Sequence, residues 1–390
     1  MTSADNIEAI AKEAKVWRQT LHQHPELLFD LPKTSAFVAE KLREFGCDEV
    51  VTGIATSGVV AVINGTRGPG GSIGLRCDMD ALPMSEQTNL PYASRIPNMM
   101  HACGHDGHTA MLLATAKCLA ADRDFAGRVV LIFQPAEEGG GGARVMIEEG
   151  LLERFGIDEV YGMHNEPGLP VGSFATRSGA FMAGGDRFVV TITGKGGHAA
   201  SPHKTHDPVV VASHMVSALQ TIASRSTDPF DPIVVSITYI NGGNDRALNV
   251  IPDTVQVGGT IRTMNPAVRK AAEQRFREIV STTAALFSSE ARIDWRPGYP
   301  VVVNDPAKTS AAIAAAEAVV GDGAVNATYA QSMGSEDFAY MLEQRPGAMI
   351  LIGNGDSQYL HHPGFDFNDE AIPYGVKYWL SLVDRQLNKT

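Results

Sequence analysis

HACGHDGHTAMLLATAKCLAA (residues 101–121) leads into RVVLIFQPAEE (residues 128–138), and the pair decides the fold class. From about Gly107 to Ala121 the segment is dense in Ala, Leu and Met, residues that favour a helix. Arg128–Phe133 is a short continuous apolar run, the pattern of a strand buried on both faces. It stops at Gln134-Pro135-Ala136, and two carboxylates, Glu137 and Glu138, follow directly. A helix feeding a buried strand with polar residues just past its carboxyl end is the repeating unit of an α/β sheet.

The same alternation extends on both sides. Upstream, an amphipathic helix at 34–46 precedes the apolar runs Val59–Asn64 and Ser72–Cys77, the second ending in Asp78-Met79-Asp80. Downstream, a helix at Ala143–Leu151 precedes a strand at Glu159–Met163 that ends in His164. The reading is an α/β catalytic domain with a mostly parallel sheet and helices on both faces. Between about 186 and 296 the pattern changes. Strands at Arg187–Thr193, Ile233–Ile240 and Thr254–Arg262 and helices at Pro208–Ser224 and Pro266–Leu286 give a β-α-β-β-α order, an inserted smaller α+β domain of ferredoxin-like type. The expected boundaries are 1–185 with 297–390 for the discontinuous first domain and 186–296 for the insertion. A helix at Lys308–Val320, a strand at Ala348–Gly353 and a helix at Ala371–Leu387 complete the first domain.

The 390 residues carry a formal net charge of -12, with 44% hydrophobic and 19% charged residues. Scattered acidic charge argues against nucleic acid and anionic membrane as partners. No segment approaches the roughly 20 apolar residues of a membrane span. The first residues read as an amphipathic helix with Ile7, Ile10, Ala14 and Trp17 on one side, not as a secretory signal, so a cytoplasmic location is expected. Four cysteines are too few for a disulfide scaffold, and only Cys103 has neighbours that suggest chemistry.

Those neighbours are His101, His105, Asp106 and His108. A thiolate close to imidazoles at the start of a helix suits zinc and neighbouring first-row metals. It also satisfies the minimum for a Cys-His nucleophile. Adjacent Glu137 and Glu138 repel unless a cation lies between them. One can then ligate while the other moves protons between water and a leaving amine. Asp78 and Asp80 share a face of an extended segment and are placed to orient ligand histidines, although Asp80 also suits a turn before Leu82-Pro83. His164 at a strand end and His361-His362 in a loop offer further ligands. His198 lies in the glycine-rich run Gly194–His198, where a mobile histidine can stabilise an oxyanion.

Taken together, LRCDMDALP (75–83), residues 101–108, QPAEE (134–138), Gly162–His164, Gly194–His198 and His361-His362-Pro363 resemble one family over essentially the whole chain. These are the dinuclear metallo-amidohydrolases that include hippurate hydrolase, N-acyl-amino-acid amidohydrolases and auxin-conjugate hydrolases. The resemblance implies that Cys103, His105, Glu138, His164 and His361 bind two divalent ions (Zn, Mn, Co or Ni) with the Cys103 thiolate shared. It implies that Glu137 is general base and acid. It also implies that His198 assists the substrate or tetrahedral intermediate, and that Asn249, Arg262 and Glu336 contact substrate. The insertion would act as lid and dimerisation domain of a homodimer. The wider superfamily has His-x-Asp where this chain has Asp78-Met79-Asp80, which favours the cysteine-containing branch. His362 stands where a small polar residue is expected; His361 fits the register better.

The expected activity is metal-dependent hydrolysis of N-acyl amino acids by metal-activated water. The rivals are a metallodipeptidase or aminopeptidase, a cysteine hydrolase, and an inactive metal or small-molecule binding module.

Overall fold

A computed structural model describes residues 4–388. The chain divides into two compact units. The first comprises Met1–Gly179, Val303–Ala330 and Asp337–Thr390, and the second Ala180–Val302 with Gln331–Glu336.

The first unit is built on an eight-stranded sheet. Strands β1 (Glu49–Ile54), β2 (Gly58–Asn64), β3 (Ser72–Asp78), β4 (Arg128–Gln134) and β5 (Glu159–Glu166) lie in the order β1-β2-β4-β3-β5. Gly347–Gly353, Phe174–Ala175 and Val325–Asn326 continue the sheet. The central strands β4, β3, β5 and Gly347–Gly353 are mutually parallel, and β1 and β2 join antiparallel at one side. Parallel strands need helical crossovers, and those crossovers cover both faces. The buried runs of β3, β4 and Gly347–Gly353 match that demand.

The first three helices of the chain are α1 (Ala4–His22), α2 (Pro32–Glu44) and α3 (His105–Ala121). The Ala/Leu/Met-rich α3 is buried continuously from His105 to Ala116. It packs against β3, α1 and the helix Ile372–Leu387, which leaves only Lys117 and its last residues partly open to solvent. Burial of each large side chain such as Leu112 or Leu113 contributes about 1.5–3 kcal/mol. The first turn of this anchored helix carries His105. No helix among the described residues is long and apolar enough to cross a membrane.

The second unit has a four-stranded antiparallel sheet in the order Ile233–Gly242, Thr254–Thr263, Gly184–Thr193, Glu290–Pro297. Phe188, Val190 and Ile192 alternate inward to meet Val211, Met215 and Leu219 of one helix and Phe276 and Val280 of another. The fourth strand, absent from the sequence reading, completes the ferredoxin-like order.

Several boundaries differ from expectation. β5 continues past Met163 because pairing with Gly347–Gly353 runs to Glu166, which places His164 inside the strand. The helix expected over Ala143–Leu151 divides into Gly142–Glu148 and Leu151–Arg154 at Gly150, whose φ is +89°. That over Pro208–Ser224 divides at Gln220. The unit boundaries fall at 179/180 and 302/303 instead of 185/186 and 296/297. The short segment Gln331–Glu336 belongs with the second unit, where Ala183 N donates to Ser332 O and Arg262 Nη1 to Met333 O at 2.6 Å.

Candidate metal centre

In the first unit, side chains gather at the carboxyl ends of the parallel strands. Gly104 precedes α3 with φ +92°, and a Cβ there would lie 2.1 Å from Asn165 Oδ1. Only glycine accommodates this turn, which sets Cys103 and His105 on either side of it. After β4, Ala136 takes φ +56°, unusual for a residue with a Cβ, and Glu137 and Glu138 follow from this kink.

Asp80 organises the pair. Its carboxylate accepts from Glu137 N and Glu138 N, each at 3.0 Å, while its carbonyl accepts from His105 Nδ1 at 2.8 Å. A carbonyl oxygen only accepts, so Nδ1 of His105 carries a proton and Nε2 is the atom left to face the centre. His164 is oriented likewise: Nδ1 donates to Asn165 O at 2.7 Å, and Nε2 lies 3.4 Å from Cys103 Sγ. His361 Nε2 is 3.1 Å from Glu138 Oε1. His362 instead accepts from Gly364 N through Nδ1.

The donor atoms of Cys103, His105 and His164 lie within 4.8 Å of one another, as do those of Cys103, Glu138 and His361. A third set at that spacing joins His105, Glu137 and Glu138. His105 Nε2 is buried without a hydrogen-bond partner, and the buried Glu138 Oε1 meets His361 Nε2, itself a member of a donor set. Orphaned atoms of this kind are costly unless something binds them, and a thiolate, imidazoles and a carboxylate make a donor set suited to a divalent transition metal. The residues therefore fit a metal.

Electrostatics agree. Burial pushes the Cys103 thiol up, with His105 offsetting only part, so its thiolate needs a cation beside it. Burial and then His108 hold His164 well below the ordinary histidine value, as a neutral imidazole. Burial raises Glu138, but His361 and His105 outweigh it and keep the carboxyl ionised. Burial also opposes charge on His105, yet Asp78, 3.8 Å from Nε2, lifts it above the ordinary value. A metal at Nε2 would displace that proton.

Asp78 does different work from Asp80. Its Oδ1 accepts from His108 Nδ1 at 2.6 Å and its Oδ2 from Arg76 Nη1 at 2.8 Å. His108 Nε2 accepts from Asn165 N at 3.0 Å, so both ring nitrogens are committed to protein. Asp78, His105 and His108 also form a close triad, but those commitments make it a support for the centre. Buried Arg76 further donates to Gln134 Oε1 and Asp337 Oδ1, tying β3 and β4 to Asp337. The sequence alone assigns no role to Arg76, His108, Asn165 or Asp337.

Asp80→Asn keeps one oxygen acceptor and sets an amide N–H₂ against a backbone N–H. It should lower kcat or metal affinity about 10–100-fold, as loss of an orienting partner does. Steady-state kinetics with elemental analysis reads the change, and wild-type values in both would refute the role.

His198, Asn249, Arg262 and Glu336 lie in the second unit. His198 is exposed on a two-residue strand paired with Val250–Ile251, next to Asn249, whose carbonyl accepts from Ala199 N. Ala200 N donates to His198 Nδ1, which puts the ring proton on Nε2. Arg262 holds Met333 O and Ser335 Oγ, and Glu336 is buried.

Residues 74–385 match the model of peptidase family M20/M25/M40. The chain belongs to that family. It is 43% identical over 374 residues to N-acetyl-L-cysteine deacetylase of Bacillus subtilis, covering 94% of this chain and 86% of the relative. It is 40% identical over 370 residues to hippurate hydrolase of Campylobacter jejuni, covering 95% of each. A crystal structure of a Bacillus subtilis protein described as a dinuclear metal-binding peptidase of the M20 family superposes with TM-score 0.85 at 36% identity, covering 98% of this chain and 100% of that one. As a member of this family the chain is a metal-dependent amidohydrolase.

Proposed function

We propose that the chain hydrolyses the amide bond of N-acyl amino acids, giving a carboxylic acid and a free amino acid. Two divalent cations would be held by Cys103, His105, Glu138, His164 and His361. The observation that carries the reading is the pair of donor triads sharing Cys103, with the Glu137 carboxylate at the same centre. The deacetylase and hippurate hydrolase among the relatives support the substrate class.

Bound cations supply Lewis-acid polarisation of the acyl carbonyl and acidify water at neutral pH. The protein supplies the proton path. Glu137, buried to 7% exposure and tethered by Asp80 at its backbone, takes a proton from the attacking water and returns it to the departing nitrogen. His198, with its proton on Nε2, is the donor to the developing oxyanion. Asn249, Arg262 and Glu336 take substrate-binding roles. Zinc, manganese, cobalt and nickel all suit the donor set.

A homodimer through the second unit is part of the proposal. Its edge strand Ile233–Gly242 presents Tyr239 and Ile240 to solvent, 43% and 60% exposed, and an exposed apolar edge invites pairing. A cytoplasmic location accords with four free cysteines.

Cys103 within 3.4 Å of His164 gives a second reading, a cysteine nucleophile. The raised thiol and depressed imidazole argue against it, because a reactive cysteine needs the opposite shift.

Metal-loaded protein should turn over hippurate and N-acetyl amino acids and leave free dipeptides largely intact. Preference for dipeptides would make it a dipeptidase or aminopeptidase, and no turnover of either class would make it a binding module.

A further inference from the structure

Four of the five proposed metal ligands sit on or beside buried regular elements, but His361 does not. It lies in an irregular loop between Gly353 and Asp369, and its side chain is 53% exposed. Its backbone adopts φ +62°, a left-handed conformation that a residue with a Cβ keeps only where its surroundings impose it. Backbone bonds from His361 N to Ala102 O and from Gln87 N to Pro363 O hold one end of the loop.

The other end meets a buried guanidinium. Arg18 of α1 has no solvent exposure. Its Nη1 donates to Asp366 Oδ1 at 3.0 Å and its Nε to Asp369 Oδ1 at 2.8 Å. Both carboxylates are in the segment that follows His361. Nη1 also lies 3.5 Å from Asp106 Oδ2, in the first turn of α3 immediately after His105. His22, one turn along α1, bonds the same Asp106 oxygen through Nδ1 at 2.8 Å. Tyr92 lies under the guanidinium, 4.5 Å from its ring centre, and donates to Asp366 Oδ2 at 2.7 Å.

We infer that Arg18 is a positioning residue for the metal centre, locking the His361 loop to the helix start that carries His105. A buried ion cluster gives little net stability, and apolar side chains of similar size often serve as well. What the cluster provides is geometry: a rigid fork that holds carboxylates from two separate segments in one register.

The inference rests on the metal-centre reading, and the test separates the two. Zinc is titrated calorimetrically into chelated full-length protein, with circular dichroism and thermal melting run on each variant. Wild type should take up two equivalents. Arg18→Met should bind one equivalent with wild-type affinity and the other about 10–100-fold more weakly. Arg18→Lys keeps the charge without the fork and should recover only part of the loss. Asp369→Asn removes one carboxylate at constant volume and should give a smaller weakening of the same equivalent; it carries the test if Arg18→Met does not fold. Unchanged binding of both equivalents would overturn the inference. So would equal weakening of both in step with the melting temperature. Wild type that takes up no second equivalent refutes the metal-centre reading, and this inference with it.

Discussion

Glu137→Gln should keep its full metal content and lose about 10²–10⁴-fold or more in kcat on an N-acyl amino acid. The substitution preserves volume and leaves the bond from residue 137 N to Asp80 intact, so the turn after β4 stays in place. What disappears is a group able to accept a proton and give it back. Glu137 also lies within ligand distance of His105 and Glu138, so metal analysis decides between two roles. Retained metal with lost turnover identifies the proton carrier. Lost metal identifies a ligand, and near-normal turnover removes Glu137 from the mechanism.

Cys103→Ala should have the largest effect on metal content, because Cys103 belongs to both donor triads. Loss of an orienting partner costs about 10–100-fold in affinity, and loss of a shared ligand should exceed that. Cys118→Ala is the control. Cys118 is also buried, in α3, but lies far along the helix from the centre, so its replacement should affect stability alone. Elemental analysis after exhaustive dialysis reads both variants. A Cys103→Ala protein with full metal and no activity would point to the nucleophile reading, which the 3.4 Å approach of His164 allows.

Much of the candidate centre is legible in the sequence because its proposed ligands follow apolar runs or cluster within a few residues. Cys103, His105, Glu137 and Glu138 adjoin segments whose burial pattern is plain, and the parallel sheet brings strand ends together whatever their sequence separation. His164 reads as a strand end, although its strand runs on to Glu166 through pairing that no local pattern reports. The supporting network is harder to see. Arg76 interrupts the apolar run of β3, and a charge inside a buried strand must be paired, so its position is itself a signal. Arg18 and His22 fall on the face of α1 that carries Ile7, Ile10, Ala11, Ala14 and Leu21. A charged residue and a histidine at core positions of an amphipathic helix mark a buried polar network. The sequence does not name the partners of His22, which lie 84 and 64 residues away. The strand Glu290–Pro297 escapes the sequence reading for a different reason: Arg292, Asp294 and Arg296 dilute its apolar content at the sheet edge.

Hippurate hydrolysis by the full chain before chelation, after chelation, and after restoring zinc, manganese, cobalt or nickel tests the central claim most directly. Activity should vanish with the metal and return with at least one of the four, with two equivalents bound per chain at full recovery. Hydrolysis that survives chelation, with metal analysis confirming removal, would contradict the metal-dependent account and leave Cys103 as the nucleophile to examine.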